Sequence, residues 1–408
     1  MKLLLALCTL AITAIAQTSV TVPVTLDHNR IIIDVRVPMP DGSTTRVRTW
    51  VDNGNPEMWI TERMAKKLGL TMSGEVKDEN GLKIQTAAPP QEIRIGTLAI
   101  RPSGIKEMKV VVDRTAIGPG MSAEINLPSK LLRHYDVLVD YPNREFTIGL
   151  PGSIHFAGTT AQTQLNSENG LVQIATDIGG VKGNLALDFG ASYSFLASDV
   201  LAKLASLHPE WPQMTGAVGA ANMWGTNDEI HAQLLRIDQL RYGSLTLSQV
   251  GMESLSESSI DWYRKRAGIS TIGFLGANAF LRYRVGIDYA HSTAYFDRMA
   301  KSETAAMEVV GLILRPEPDE RYTIAGVAEY EGQSSVPDAK AGDKLVKIDG
   351  VDVAGGTMGQ AWSLLGGTAG ETRLLTLERD EKQLTVKAPV EKFLATVSGK
   401  AGAGTSKK

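Results

Sequence analysis

Apolar and polar positions alternate with period two through "RIIIDVRVP", residues 30 to 38, and again through "RVRTWVD", residues 46 to 52. An Asp-Gly pair separates the runs, so they predict a β-hairpin whose second strand ends at Asp52. An Asp-x-Gly turn follows. The chain then changes to helical spacing in "TERMAKKLGL", with Thr61 as N-cap and Gly69 as stop. Strands are predicted next at "EIRIGTLAI" and "EMKVVVD". The region closes on "SKLLRHYDVLVDYPNREFTIG", a short helix and a hairpin turning at Pro142 and Asn143.

The same order then returns in different words. "GLVQIATDIGGVKGNLALD" predicts a hairpin turning at Gly179-Gly180 and ending in Asp188, and "ASDVLAKLASL" is the helix after it. Two strands, "LLRIDQLRYG" and "LTLSQVGM", precede a helix around "IDWYRKRAG". The close, "GFLGANAFLRYRVGIDYAHSTAYFD", matches the end of the first region, so Asp52 and Asp140 correspond to Asp188 and Asp288. An internal repeat of roughly 140 residues is too long for a solenoid unit and suits two homologous lobes. Trp59 and Phe195 follow the two turns at matching offsets and are expected to pack behind them or to wall a cleft. A Gly-rich stretch, "VGAANMWGTNDEI" at 218 to 230, reads equally as a flap over such a cleft and as an exposed loop.

Past Arg298, "AKSETAAMEV" reads as a linker. A third block follows, with strands at "VVGLILRP", "RYTIAGVAE", "KLVKIDG", "TRLLTLERD" and "QLTVKAPV". One helix, "TMGQAWSLLG", is capped by Thr357 and stopped by Gly366. The expected organisation is a signal peptide at 1–16, an N-terminal lobe at 17–151, a second lobe at 152–300, a third domain at 301–395 and a disordered tail at 396–408.

Composition narrows the classes. A hydrophobic content of 43% and a charged content of 21% are ordinary for a globular chain, which argues against wholesale disorder. A net charge of -3 and the absence of any basic run argue against nucleic acid. "MKLLLALCTLAITAIAQ" has the basic start, short apolar run and small residues of a secretory signal cleaved after Ala16. It is too short for a spanning helix, so export to the periplasm or medium is expected, with no integral membrane segment in the mature chain. Cys8, the single cysteine, would leave with the signal, so disulfides and cysteine chemistry are excluded from the mature chain. The six histidines show no His-x-x-x-His spacing, which argues against a zinc site.

Each aspartate alone reads as a turn residue, since Asp is common before Gly. Two of them at the ends of equivalent strands have a further use. Brought together across a pseudo-two-fold axis, two carboxyl groups share one proton, because like charges at such range cannot both ionise. One can then act as general base toward a water while the other, protonated, polarises a carbonyl. Gly54 and Gly190 would let the two turns approach each other closely. Asp140 and Asp288 also repeat, but they precede tight turns and read as turn residues.

These units resemble the lobes of aspartic peptidases, the retropepsin-like and pepsin-like aspartyl proteases, over roughly residues 22 to 298. The resemblance rests on the two Asp-x-Gly turns with a hairpin before and a helix behind, on "GAS" at 190 to 192 and on "FLG" at 274 to 276. It implies a mainly β fold, two aspartic-peptidase-like lobes, and a catalytic pair Asp52 and Asp188. It also implies supporting loops formed by Asn53, Gly54, Phe189, Gly190, Ser192 and Gly276. The family places Thr or Ser after each aspartate, whose hydroxyl ties the loops together. This chain has Asn53 and Phe189, and a phenyl ring cannot hydrogen-bond. The first lobe has "INLPS" at 125 to 129 where the second has its glycine motif.

The third block resembles a PDZ domain, an α+β module that captures extended peptides by strand addition beside a helix. The resemblance lies in "SSVPDAKAGDKLVKIDGVDV" and "VGLIL". It implies peptide contacts at Gly311, Leu312, Ile313 and Met358, although Met358, Trp362 and Leu365 also fit a core at helical spacing. Together these imply an exported endopeptidase, monomeric with pseudo-dimeric lobes, acting on polypeptide and needing no metal, nucleotide or redox cofactor. Two other readings stay open, a pseudo-peptidase that binds extended peptide without cutting it, and an envelope scaffold acting through its third domain.

Overall fold

The computed structural model describes residues 18–79, 82–299 and 307–395. The expected signal peptide, most of the linker and the tail lie outside these residues. Among the described residues the chain is mainly β, with strands gathered in four large sheets and one small ladder. No helix there is long and apolar enough to cross a membrane.

The first hairpin forms as its period-two pattern predicts. Arg30–Pro38 pairs antiparallel with Thr44–Asp52, Pro38 facing Thr44, with Gly42 at positive φ in the turn. Its inward residues Ile33, Val35, Val37, Val47 and Val51 are buried. Thr61 caps the helix Glu62–Lys67, accepting from the Met64 N–H at 3.3 Å. In the second lobe Val172–Ile178 and Val181–Leu187 pair through a turn at Gly179-Gly180, both at positive φ. The helix Ser198–Leu207 follows, and Glu257–Ala267 ends at Gly268 in the left-handed conformation.

Both lobes build the same local knot of strands at their aspartate. In the first, Ile125–Pro128 runs parallel to Thr44–Asp52, Pro128 beside Asp52, and antiparallel to Trp59–Thr61. In the second, Gly273–Leu275 runs parallel to Val181–Leu187 and antiparallel to Ser194–Ala197. The Ser129 N–H donates to the Asn55 carbonyl and the Ala277 N–H to the Ala191 carbonyl, both at 2.9 Å. "INLPS" thus occupies the place that the glycine motif holds in the second lobe, with Pro128 as the counterpart of Gly276.

The two closing hairpins do not stay separate. Asp136–Asp140 pairs antiparallel with Tyr283–Asp288, Leu138 facing Gly286, so both lobes contribute to one six-stranded sheet. A continuous apolar core runs through it, including Val137, Val139, Val285 and Ile287. Asp140 and Asp288 hold turns, accepting the N–H of Asn143 and His291 respectively, each at 3.0 Å.

The C-terminal sheet runs in the order Met307–Val310, Lys382–Phe393, Thr372–Arg379, Lys344–Ile348, Tyr322–Val327, Leu312–Pro316. Leu312–Pro316 is its edge. The helix Met358–Leu365 is capped by Thr357 through a reciprocal bond with Gln360. This unit is docked on both lobes: the Thr357 hydroxyl donates to Asp27 at 2.7 Å, and the Met358 N–H to the Gly120 carbonyl at 2.8 Å. The buried Arg236 of the second lobe donates to the Leu394 carbonyl at 2.7 Å.

If the shared sheet is a true core, Ile287→Ala removes a fully buried side chain there. The expected loss is about 2–5 kcal/mol in urea unfolding. A loss below about 1 kcal/mol would mean that the lobes are not packed through this sheet.

Candidate functional site

Asp52 and Asp188 end equivalent strands, and the turns after them meet head to head. A Cβ on Gly54 would lie 2.1 Å from the Asp188 carboxyl carbon. A Cβ on Gly190 would lie 2.5 Å from Asp52 Oδ1 and 3.0 Å from Asp188 Oδ1. The glycines are therefore required by close approach, and both carboxyl groups border the same point. Trp50, two residues before Asp52, stands 2.9 Å from that same point.

The link between the loops comes from a single side chain. The Asn53 amide nitrogen donates to the Leu187 carbonyl at 2.9 Å, and its oxygen accepts the Phe189 N–H at 2.6 Å. One carboxamide, with a donor and an acceptor on one planar group, spans the backbone on both sides of Asp188. The interruption anticipated at Phe189 is absent because its backbone, not its ring, makes the bond. The ring is fully buried in the core instead.

The remaining loop residues divide by task. The N–H groups of Gly190 and Ala191 donate to Asp188 Oδ1 at 2.7 and 3.1 Å. Gly276 leaves no room for a side chain, since a Cβ would lie 2.4 Å from the Tyr193 carbonyl oxygen, and its N–H donates to the Ser194 hydroxyl. Ser192 donates its N–H to the Met223 sulfur at 3.2 Å, while its hydroxyl is buried without a partner.

Other contributors come from distant parts of the chain and carried no sequence signal. Asn126 is fully buried beside the first loop, accepting the Trp59 N–H and donating to the Glu57 carbonyl. From the helix Glu257–Ala267, Tyr263 donates to the Gly54 carbonyl at 2.8 Å. Arg266 on the same helix donates to Asn55 at 2.9 Å and pairs with Glu57. Of the stretch 218 to 230, open between flap and exposed loop, residues 218 to 225 are largely buried and lie near both turns, while Thr226, Asn227 and Asp228 are exposed. Trp224 meets Trp50 edge-on at 6.3 Å, and Arg30 lies 4.8 Å over the Trp224 ring. Trp59 and Phe195 occupy equivalent strands behind the turns.

Electrostatics follow from this enclosure. Asp52, only 2% exposed, is held well above the ordinary carboxylate range, first by burial and then by the charge of Asp188. Asn126, Arg266 and the Gly54 N–H pull the other way, and Asp52 Oδ2 is buried without a hydrogen-bond partner. Burial also pushes Asp188 up, to about 6, against the stabilising N–H groups of Gly190 and Ala191. The pair therefore holds a proton near neutral pH, with Asp188 the readier to ionise. Among the described residues no group of three or more His, Cys, Asp or Glu is placed to hold a metal.

The four residues expected to meet a peptide in the third domain lie inside the protein. Leu312 and Met358 are fully buried and Ile313 is 1% exposed. The Gly311 carbonyl is taken by the Ala328 N–H and the Ser335 hydroxyl.

The sequence matches no protein-family model and no curated protein. Among solved structures, it is similar to an aspartic proteinase from Irpex lacteus. The identity is 14%, with 69% of this chain and 98% of that chain covered, at a TM-score of 0.43.

Asn53→Ala would leave a buried carbonyl and a buried N–H without partners, at an expected cost of roughly 2–4 kcal/mol in urea unfolding. A cost under about 0.5 kcal/mol would show that the amide does not hold the loops. Asp188 makes a second test. Its folded pKa is raised above the unfolded value, so its contribution is present below about pH 4 and lost as pH rises through about 6. Asp188→Asn should therefore gain roughly 1–3 kcal/mol on wild type between pH 4 and pH 8. Parallel stability profiles would contradict the raised pKa.

Proposed function

We propose that this chain is an aspartic-type endopeptidase, with Asp52 and Asp188 working on one water. The observation that carries the reading is the pair of carboxyl groups bordering one point on symmetric turns joined by Asn53. Asp188, the more acidic member, takes the proton of the water as its oxygen adds to the peptide carbonyl carbon. Asp52 gives its proton to the carbonyl oxygen, producing a neutral tetrahedral diol. The C–N bond breaks as Asp188 passes its proton to the leaving nitrogen, and a diol hydroxyl returns a proton to Asp52. Atoms and charges balance, and no covalent enzyme intermediate or cofactor enters.

In the same reading the N-terminal 16 residues direct export, and residues 301–395 are a PDZ-like module. Its edge strand Leu312–Pro316 and the helix Met358–Leu365, which share one apolar core, support that assignment. Polypeptide is the substrate class, since the chemistry acts on an amide.

Cleavage of unfolded casein by wild type, Asp52→Asn and Asp188→Asn across pH 3 to 9 tests the assignment. Both variants are expected to lose at least a hundredfold in rate. The wild-type rate should rise with pH through about 6 as Asp188 ionises and fall when Asp52 loses its proton. Asp52 and the N–H groups of Gly190 and Ala191 face Asp188 and set that limb, while Arg266 acts on Asp52. Activity retained by both variants, or none at any pH from folded wild type and from a folded Asn222→Ala chain alike, would overturn it.

A further inference from the structure

The edge of the C-terminal sheet is already occupied. Asn222, fully buried in the second lobe, donates to the Leu314 carbonyl at 3.0 Å and accepts the Leu314 N–H at 2.8 Å. That is the bonding a neighbouring strand would supply, delivered by a side-chain amide. Gly225 presses on the same edge: a Cβ there would lie 2.7 Å from Arg315 Cα and 2.9 Å from the Leu314 carbonyl oxygen. Val218 is packed in the apolar core of the C-terminal unit.

Val218–Gly225, the eight residues that carry these groups, also pack beside the aspartate site, where Asp188 is half-buried. Met223 takes the Ser192 N–H, and Trp224 packs against Trp50, so the segment touches the surroundings of both turns. Trp224 belongs to apolar clusters that contain Trp50 and Trp59 on one side and Ala191 and Phe274 on the other. The segment's shape is fixed from within and from the first lobe. The buried Glu229 carboxylate accepts the N–H groups of Met223, Trp224 and Thr226 and the Asn222 amide. His28 Nε2 donates to the Gly219 carbonyl at 3.0 Å, and Arg30 donates to the Met223 carbonyl.

We infer that Val218–Gly225 is an internal ligand of the Leu312–Pro316 edge that restricts access to the aspartate site. An extended peptide competing for the Leu314 edge would release it and admit substrate. The inference rests on the peptidase reading for its consequence, but the strap itself can be tested without any peptidase activity. Binding at the edge and opening at the turns are coupled because one short segment satisfies both. A competitor changes the site only through its preference for the state in which that segment has left.

The test uses the full chain with Cys8→Ser and Asp188→Cys, which places a lone thiol in the site, and measures its reaction rate with N-ethylmaleimide. Adding Asn222→Ala should speed labelling at least tenfold. An unchanged rate in a folded Asn222→Ala protein, as judged by circular dichroism, overturns the inference. Should that variant not fold, millimolar peptide AVGAANMWGT, the sequence of residues 217–226, is added to the Asp188→Cys chain. The expected result is a severalfold acceleration that the same peptide with Ala in place of Asn does not give, and equal rates with both peptides overturn the inference. In the chain with its aspartates intact, Asn222→Ala should raise casein cleavage severalfold. Faster labelling without any cleavage would count against the peptidase reading while leaving the strap in place. Faster labelling with an unchanged cleavage rate would refute the regulatory role.

Discussion

The close approach of two turns is the constraint on which the rest of this molecule depends. Gly54 and Gly190 each lie where any side chain would strike the opposite lobe's carboxyl group, or both carboxyls. Two backbones that near each other need their polar groups satisfied across the gap. Asn53 does this with one amide, bonding on either side of Asp188. Two hydroxyls, one from each lobe, would divide the task symmetrically. A carboxamide carries both a donor and an acceptor, so one lobe can supply the whole link and leave the other free to place Phe189 in the core. The lobes are symmetric in strand order but not in how they are joined.

Bringing a buried and a half-buried carboxyl group together has an electrostatic cost, and the surrounding residues divide it unequally. Asp188 receives two backbone N–H groups on one oxygen, while Asp52 Oδ2 has no partner. That asymmetry, not the amino-acid type, separates an acid from a base in an otherwise symmetric pair. The shared six-stranded sheet supplies the rigidity beneath, because its apolar core runs unbroken from one lobe to the other. Loops placed on a common platform keep their spacing where loops on independently moving lobes would not.

The third unit is likewise part of one assembly. Its helix N-terminus bonds to the first lobe at Asp27 and Gly120, and its edge strand to the second lobe at Asn222. An edge strand left open is a site for unwanted pairing. Here the chain's own side chain and backbone cover it, and the covering segment is the one that leans on the aspartate turns. The same eight residues therefore contact both the edge and the surroundings of the aspartate pair.

Much of this was legible in the order of residues alone. The period-two runs around Asp41-Gly42 and Gly179-Gly180, and the caps at Thr61 and Thr357, follow from local sterics and hydrogen bonding within a few residues. So does the repeat that pairs Asp52 with Asp188, because each unit must bury the same faces in the same sequence. Local rules could not say that one asparagine would bridge the loops, because its partners lie more than a hundred residues away. Nor could they tell that 218 to 225 would be largely buried, since a Gly-rich stretch has no periodicity and its fate depends on what packs over it. Tyr263, Arg266 and Asn126 reach the site only because three distant segments are folded onto one point. The sequence by itself determined the elements and the duplicated aspartates, which short-range physics controls. Tertiary contacts set the bond across the loops, the unequal environments of the two carboxyls and the packing of 218 to 225 beside them, because each arises between groups far apart in the chain.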